Sequence, residues 1–290
     1  FILFLFSQIT SQTFVLNQNY ATITIDNTTY NKPFLGGFNK PRIQWVDWDN
    51  DGDDDLFILD EDGHIKYYQN NISISANEFT LIDTNFLGLY GISWFYLADF
   101  NNDDNFEIIT QDINAIDQMV YYTIQGSNPD EPITVDEPVT IYDYQGNPVE
   151  SDPVMVPTFI DIDNDGLLDF FTGNMIGTVT YYRNIGFNNG VPEFEHITDI
   201  WEDLYIVGPS FSRHGASAIT FIDIDNDSDY DLAWGDYFQQ SVYIIINIGT
   251  PDSPDMDNVN IIGQFPLNDP IISAGLNMPS FTDIDNDNDN

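Results

Sequence analysis

The chain has 290 residues, is 42% hydrophobic and 15% aromatic, and carries a formal net charge of −42 at pH 7. That apolar content is enough for a sizeable core, in one large domain or two small ones, and argues against a disordered acidic tail. The chain has 48 acidic residues and 6 Lys and Arg. This balance argues against nucleic acid and anionic membranes as partners and favours cations. The absence of cysteine excludes disulfides, thiol catalysis and Cys-ligated zinc.

The N-terminal segment begins FILFLFSQITSQTF, with six apolar residues followed by polar ones. This pattern predicts the remnant of a secretory signal peptide over residues 1–14; the alternative is a buried first strand. The run is too short for a transmembrane helix, and no later run is long enough to span a bilayer. We therefore expect an exported protein, either secreted or attached to the cell surface.

An acidic segment recurs five times along the rest of the chain, each time after a short apolar run. Its spacing is 52, 62, 62 and 60 residues. A fixed period of this size is the signature of a repeat architecture. The leading aspartates of the five segments are Asp47, Asp99, Asp161, Asp223 and Asp283.

Short apolar runs rich in Val, Ile, Phe and Tyr lie between turn-forming Gly, Asn and Asp clusters, which is typical of strands. Each unit contains one run before the acidic segment, one after it, a third such as VTYYRN from Val179, and a weaker fourth such as FTLI from Phe79 or VNII from Val259. Four strands cannot bury both faces alone, so neighbouring units must stack. The sequence therefore predicts an all-β propeller of four-stranded blades.

The predicted propeller occupies residues 15–290. Because the fifth acidic segment stops at Asn290, we interpret the chain as a fragment, truncated at its C-terminus, of a propeller with more blades. The strand-like residues 15–25 either close the ring against the last blade or belong to an incomplete first blade.

The acidic segments have the spacing of a metal-binding loop. Counted from the first Asp of the third repeat, Asp161, Asp163, Asp165 and Asp169 occupy positions 1, 3, 5 and 9, and Gly166 occupies position 6. Calcium takes six to eight hard oxygen ligands, which this spacing and the carbonyl of Leu167 at position 7 would supply. Without a cation, two charges about 4 Å apart would cost on the order of 1 to 4 kcal/mol. The loops therefore predict Ca²⁺ as the cofactor.

The five loops differ in completeness. Loops one and three are complete, loop four has Ser228 at position 6, and loop five ends before position 9. Loop two has Asn101, Asp104 and Glu107 in place of Asp, Gly and Asp, so we expect it to bind metal most weakly or not at all. Asn at position 4 of every loop indicates a turn requirement. The candidate ligands are Asp47, Asp49, Asp51, Asp53, Asp55, Asp99, Asn101, Asp103, Glu107, Asp161, Asp163, Asp165, Leu167, Asp169, Asp223, Asp225, Asp227, Asp229, Asp231, Asp283, Asp285, Asp287 and Asp289.

An EF-hand is excluded because position 12 lacks Glu and the flanks are strand-like. Residues 159–186, FIDIDNDGLLDFFTGNMIGTVTYYRNIG, instead resemble a unit of the FG-GAP/VCBS repeat family. The resemblance extends over roughly residues 30–290. It is to the bacterial VCBS type of repeat rather than to the repeat pattern of integrin α heads. It implies a secreted β-propeller with a calcium loop between the first and second strands of each blade.

Beyond the loops, the sequence gives few functional signals. The segment 199–217 contains Trp201, Tyr205, Phe211, Arg213 and His214; it could contact a sugar or protein, although packing of Trp201 and Tyr205 between blades is favoured. No catalytic motif is present, so a non-enzymatic role is favoured over an enzymatic one.

We expect a calcium-binding adhesion or binding module whose partner is an extracellular protein or a polysaccharide. The alternatives are the propeller of an extracellular carbohydrate-active enzyme, such as a polysaccharide lyase with Arg213 or His214 as base, and a purely structural spacer.

Overall fold

The computed structural model describes residues 21–30, 37–71, 79–126, 133–152, 154–206 and 215–284. The chain divides into two compact units, Phe1–Asn39 and Lys40–Asn290. The predicted signal peptide remnant and residues 15–20 lie outside the described residues. Among the described helices, none has the length and apolar character needed to cross a membrane.

The described part of the first unit is a β-hairpin. Strand β1 (Ile23–Ile25) pairs antiparallel with β2 (Thr28–Tyr30). Asp26 and Asn27 connect them with φ of 49° and 69°, the left-handed geometry of a two-residue hairpin turn. Residues 23–25 therefore pair within this unit.

The second unit is all-β and has four blades in a propeller arrangement, each blade an antiparallel sheet in chain order. Blade one contains β3 (Arg42–Val46), β4 (Asp55–Leu59), β5 (Ile65–Gln69) and β6 (Thr80–Asp83). Blade two contains β7 (Phe95–Ala98), β8 (Glu107–Gln111), β9 (Met119–Gln125), β10 (Thr134–Val135) and β11 (Val139–Thr140). Blade three contains β12 (Thr158–Ile160), β13 (Asp169–Gly173), β14 (Val179–Asn188) and β15 (Val191–Thr198). Blade four contains β16 (Ala216–Ile222), β17 (Asp231–Asp236) and β18 (Tyr243–Ile245). The helical turns of the described chain are two 3-10 turns, Phe86–Gly88 and Trp201–Asp203.

The outermost strand is irregular in two blades. In blade two it is split into β10 and β11, which both pair with β9. In blade four the predicted strand from Val259 is reduced to an isolated bridge between Ile244 and Ile262. The backbone N–H groups of Val259 and Asn260 donate instead to the carboxylate of Asp257 at 3.2 and 3.0 Å. This local turn takes donors that a continuous ladder would need.

The hydrophobic core lies between consecutive blades, as stacked sheets require. Three clusters of buried side chains fill the three blade interfaces, and each mixes residues of two neighbouring blades. Representative pairs are Phe57 with Leu97, Tyr121 with Phe159, and Phe171 with Trp234. All six side chains are buried, so the acidic loops at the strand ends are held by rigid sheets.

Side-chain and backbone contacts join the first strands of neighbouring blades. Gln44 Nε2 in blade one donates to the carbonyl of Leu97 in blade two at 2.6 Å. The hydroxyl of Tyr96 donates to the carbonyl of Phe159 in blade three at 2.7 Å. Blade three is linked to blade four by a parallel β-bridge between Val156, just before β12, and Ala218 in β16. The four acidic loops therefore follow first strands that are linked one to the next.

Candidate metal centre

Four acidic loops of nine residues connect the first and second strands of the four blades. Each starts shortly after the first strand and ends on the first residue of the second strand. The loops are residues 47–55, 99–107, 161–169 and 223–231. The fifth loop begins at Asp283, and its candidate ligands Asp285, Asp287 and Asp289 lie outside the described residues.

The carboxylate at position 1 organises each loop. In loop three, Asp165 N donates to Asp161 Oδ1 at 3.0 Å and Gly166 N donates to Asp161 Oδ2 at 2.9 Å. Leu167 N then donates to Asp165 Oδ1 at 2.9 Å. The same three hydrogen bonds recur in loops one, two and four. The aspartates at positions 1 and 5 thus fold the backbone as well as supplying charge.

Positions 4 and 6 adopt left-handed backbone conformations in all four loops. At position 4 the φ values lie between 57° and 62°, which Asn tolerates better than most residues. At position 6 the glycines Gly52 and Gly166 have φ of 93° and 88°, whereas Asp104 and Ser228 are held at 66° and 78°. A side chain at such φ is strained. The turn requirement predicted for position 4 is therefore met, and loops two and four carry strain at position 6.

Three of the loops bring their carboxylates together. In each, one oxygen from positions 1, 3 and 5 lies within 4.8 Å of the other two. These groups, which could each hold a metal ion, are Asp47, Asp49 and Asp51; Asp161, Asp163 and Asp165; and Asp223, Asp225 and Asp227. Loop two offers only Asp99 and Asp103 as carboxylates at these positions, because Asn101 stands at position 3.

Unpartnered oxygens show that the loops fit a cation. Asp163 Oδ1 at position 3 of loop three and Asp229 Oδ1 at position 7 of loop four are buried and have no hydrogen-bond partner among the described residues. Burial and the neighbouring Asp165 and Asp161 raise the pKa of Asp163. A buried anionic oxygen without a donor is costly, and a hard divalent cation is the ligand that such oxygens prefer.

The acid at position 9 has a different environment from those at positions 1, 3 and 5. Asp169 is fully buried; its Oδ1 accepts the backbone N–H of Asn184 at 2.7 Å and its Oδ2 accepts the hydroxyl of Tyr181 at 3.0 Å. Asp55 makes the matching contacts with Asn70 and Tyr67. Burial raises the pKa of Asp169 to about 7 and that of Asp55 to about 6.

Loops two and four satisfy position 9 in another way. Asp231 keeps the backbone donor, accepting the N–H of Asn247 at 2.7 Å. Its other oxygen accepts the N–H of Ile224 at 2.9 Å, because Ile244 stands where a tyrosine hydroxyl reaches the acid in blades one and three. Glu107 accepts the N–H of Phe100 at 3.0 Å. The position 9 acid ties its loop to the blade in every case, and its role as a metal ligand remains a prediction.

An asparagine in or just after the third strand supports each of three loops through its backbone N–H, which donates to the position 9 acid, a role that the sequence reasoning missed. Asn184 Nδ2 donates to the carbonyl of Leu168 at 3.1 Å, and Asn70 Nδ2 donates to that of Asp54 at 3.2 Å. Asn247 Oδ1 accepts N–H groups from Gly249 and Asp255 at 3.0 and 2.9 Å. The recurring Asn in YYQN, YYRN and IIIN was the available signal.

The aromatic segment after blade three gives a mixed result. Trp201 is buried, with its ring 4.9 Å from that of Phe171 and 5.7 Å from that of Phe221, so its predicted packing between blades is confirmed. Tyr205 is 53% exposed, and its predicted packing is wrong because it lies between buried Leu204 and Ile206 in an alternating segment that directs its side chain to solvent. Phe211, Arg213 and His214 lie outside the described residues.

Comparison with known proteins supports the repeat assignment. A family model described as an FG-GAP-like repeat matches residues 47–110, which run from the start of loop one almost to the end of β8. A search of curated proteins found no match.

Among solved structures, one match is described as "Structural basis of specific recognition of non-reducing terminal N-acetylglucosamine by an Agrocybe aegerita lection". It shares 13% identity with a TM-score of 0.36, over 75% of this chain and 65% of that one, so this chain spans less than two thirds of its length. That likeness is too low to carry an argument about function. From the family match and the blade arrangement, the chain carries an FG-GAP-like repeat at residues 47–110 within a β-propeller arrangement.

Proposed function

We propose that this chain is a calcium-binding β-propeller that works outside the cell as a binding or adhesion module, with calcium serving mainly structure. The extracellular placement is supported by the repeat family, whose members are typically extracellular, and by the apolar N-terminal segment. The partner would be an extracellular protein or a polysaccharide.

The observation that carries the metal proposal is the repetition of one loop geometry. Four loops share the same three hydrogen bonds and the same left-handed turn, and three of them gather three carboxylates within 4.8 Å. Backbone hydrogen bonds give the carboxylates at positions 1 and 5 a reason to approach, but a solvated acidic turn has no such reason to bring the carboxylate at position 3 to them, because like charges repel. A common ligand gives that reason.

Calcium would neutralise positions 1, 3 and 5 and anchor each loop to two strands of its blade. In loop three, Asp161, Asp163 and Asp165 would hold the ion, with the Leu167 carbonyl and Asp169 as further proposed ligands. Since Asp161 and Asp165 also accept backbone N–H groups, ion binding and loop folding are coupled. Metal binding would therefore add directly to folding stability.

Thermal melting in calcium, in magnesium and in chelator tests this role. We expect a melting temperature about 10 °C or more higher in millimolar calcium than in chelator, because each saturated site adds about 3 to 4 kcal/mol. Magnesium should give a smaller rise, since it dehydrates reluctantly and demands octahedral geometry. Equal melting in calcium and chelator would contradict the proposal.

A further inference from the structure

A second polar site lies at the other end of blade three from loop three. A cavity of about 290 Å³ opens between blades two and three. Its walls come from the end of β13, the following turn, β14, and the segment that connects the two blades. We call it the interblade pocket and define it by its lining residues, Asp117, Glu150, Ser151, Asp152, Thr172, Asn174, Thr180, Tyr182 and Asp199.

The interblade pocket is negatively charged and has no basic residue in its lining. Four carboxylates, those of Asp117, Glu150, Asp152 and Asp199, face a set of hydroxyl and amide groups. Asp199 Oδ1 accepts a hydrogen bond from the Thr180 hydroxyl at 3.2 Å and lies 3.0 Å from His196 Nε2. The ion pairs of the described chain include none made by Asp117, Glu150 or Asp152. Within the described residues, three carboxylates of the pocket are thus left without a cation.

A buried hydroxyl in the lining points independently to a ligand. Ser151 is only 4% exposed, and its Oγ has no hydrogen-bond partner among the described residues. Its backbone N–H is already used, because it donates to the carbonyl of Asp117 at 2.8 Å. A buried polar group without a partner costs free energy that a bound donor or acceptor would recover.

The distribution of the carboxylates distinguishes this pocket from the metal loops. Among the described residues, the groups of three carboxylates close enough to share an ion are all in the acidic loops. The carboxylates of the interblade pocket are therefore spread around the cavity, which is roomy enough for a group of several heavy atoms. This arrangement suits an organic cation better than a metal ion.

We propose that the interblade pocket binds a protonated primary amine. An ammonium group has three N–H donors and no acceptor, and the pocket offers carboxylate oxygens of Glu150 and Asp152 together with the Ser151 Oγ as acceptors. The amine comes either from an amino sugar or from a side chain like that of lysine.

The inference deepens the proposed binding function but uses none of the residues of the metal loops. It is tested by calorimetric titration of the calcium-loaded chain with n-butylamine and with glucosamine, at about 0.15 M salt to screen diffuse attraction. The neutral comparison probes are 1-butanol and glucose. We expect one saturable site for the charged probes and none for the neutral ones. Tighter binding of glucosamine would indicate an amino sugar, and tighter binding of butylamine a lysine-like chain.

Three variants locate the site. Ser151→Ala, which leaves the charge unchanged, should weaken amine binding about threefold to tenfold, and the double variant E150Q/D152N should weaken it more than tenfold. Asp269→Asn removes one exposed charge outside the pocket and should leave binding unchanged. Glu150 is exposed, so its substitution keeps a folded protein even if Ser151→Ala does not.

The proposal is overturned if neutral and charged probes bind alike, or if neither binds. It is also overturned if Asp269→Asn weakens binding as much as E150Q/D152N, which would indicate diffuse attraction to an acidic surface. An unchanged affinity in Ser151→Ala would overturn it as well, because the Ser151 hydroxyl would then take no part in binding. Melting curves in calcium and chelator on the same samples show separately whether the metal proposal holds.

Discussion

Loops two and three share one pattern of backbone hydrogen bonds and the same number of acidic residues, but they differ at position 3, which is Asn101 in loop two and Asp163 in loop three. In both, the N–H groups of positions 5 and 6 donate to the position 1 carboxylate, at 3.0 and 2.8 Å in loop two and at 3.0 and 2.9 Å in loop three. The φ of the position 4 asparagine is 58° in one and 57° in the other. The turn is therefore encoded by Asp at positions 1 and 5 and Asn at position 4, whatever stands at position 3.

We propose that position 3 decides whether the loop binds a cation. In loop three Asp163 presents a buried oxygen without a partner among the described residues. In loop two Asn101 Nδ2 instead donates to Glu107 Oε1 at 3.0 Å, so an attractive contact joins positions 3 and 9, although the Asn101 Oδ1 itself has no partner there. Asp at positions 1 and 5 and Asn at position 4 thus shape the loop, and the residue at position 3 is the one proposed to control metal binding.

The largest effect is expected from Asp161→Ala. This change removes a carboxylate from the proposed metal group and also the acceptors of the Asp165 and Gly166 N–H groups, so it should lower the free energy of unfolding by about 4 kcal/mol in calcium. It should also destabilise the protein in chelator. Chemical denaturation in both conditions checks this, and a loss confined to calcium would show that the backbone hydrogen bonds contribute nothing.

The effect of Asp163→Asn on the free energy of unfolding should have opposite signs in calcium and in chelator. In calcium it should cost about 2 to 3 kcal/mol because an anionic ligand is lost; in chelator it should stabilise by about 1 kcal/mol because repulsion is relieved. The same denaturation series measures both values. Destabilisation of equal size in both conditions would mean that Asp163 acts through the fold and not through a cation.

The reverse exchange, Asn101→Asp, should give loop two the calcium binding that we expect of loop three. We expect one further calcium site in a titration and a loss of about 1 to 2 kcal/mol in chelator, since the introduced carboxylate would face Glu107 with like charge. Asn268→Asp, at an exposed position outside the loops, provides the charge-matched control. If both variants bind calcium like the original chain, position 3 does not control the site.

The smallest effect is expected at position 6. Asp104→Gly in loop two and Ser228→Gly in loop four should each stabilise by about 0.5 to 1 kcal/mol, in calcium and in chelator alike, because both residues have positive φ. Gly166→Ala is the opposite change in loop three and should destabilise by a similar amount. Gains seen only with calcium would assign position 6 to the metal site rather than to the turn.

Much of this arrangement could be predicted from the sequence because it depends on local chemistry. The period located the blades, and the Asn at position 4 predicted the left-handed turn. The sequence could not show that buried Asp169 and Asp55 accept two hydrogen bonds from the third strand, because those partners lie 12 and 15 residues away. The missing outer strand of blade four depends on competition from Asp257, which an apolar pattern does not reveal.

A calorimetric calcium titration of the unmodified chain examines the proposal that the carboxylates at positions 1, 3 and 5 bind calcium together. Three loops bring these carboxylates within 4.8 Å, so we expect at least three saturable sites, each competed by chelator. The absence of saturable binding would contradict it and would make the acidic loops turns without a metal.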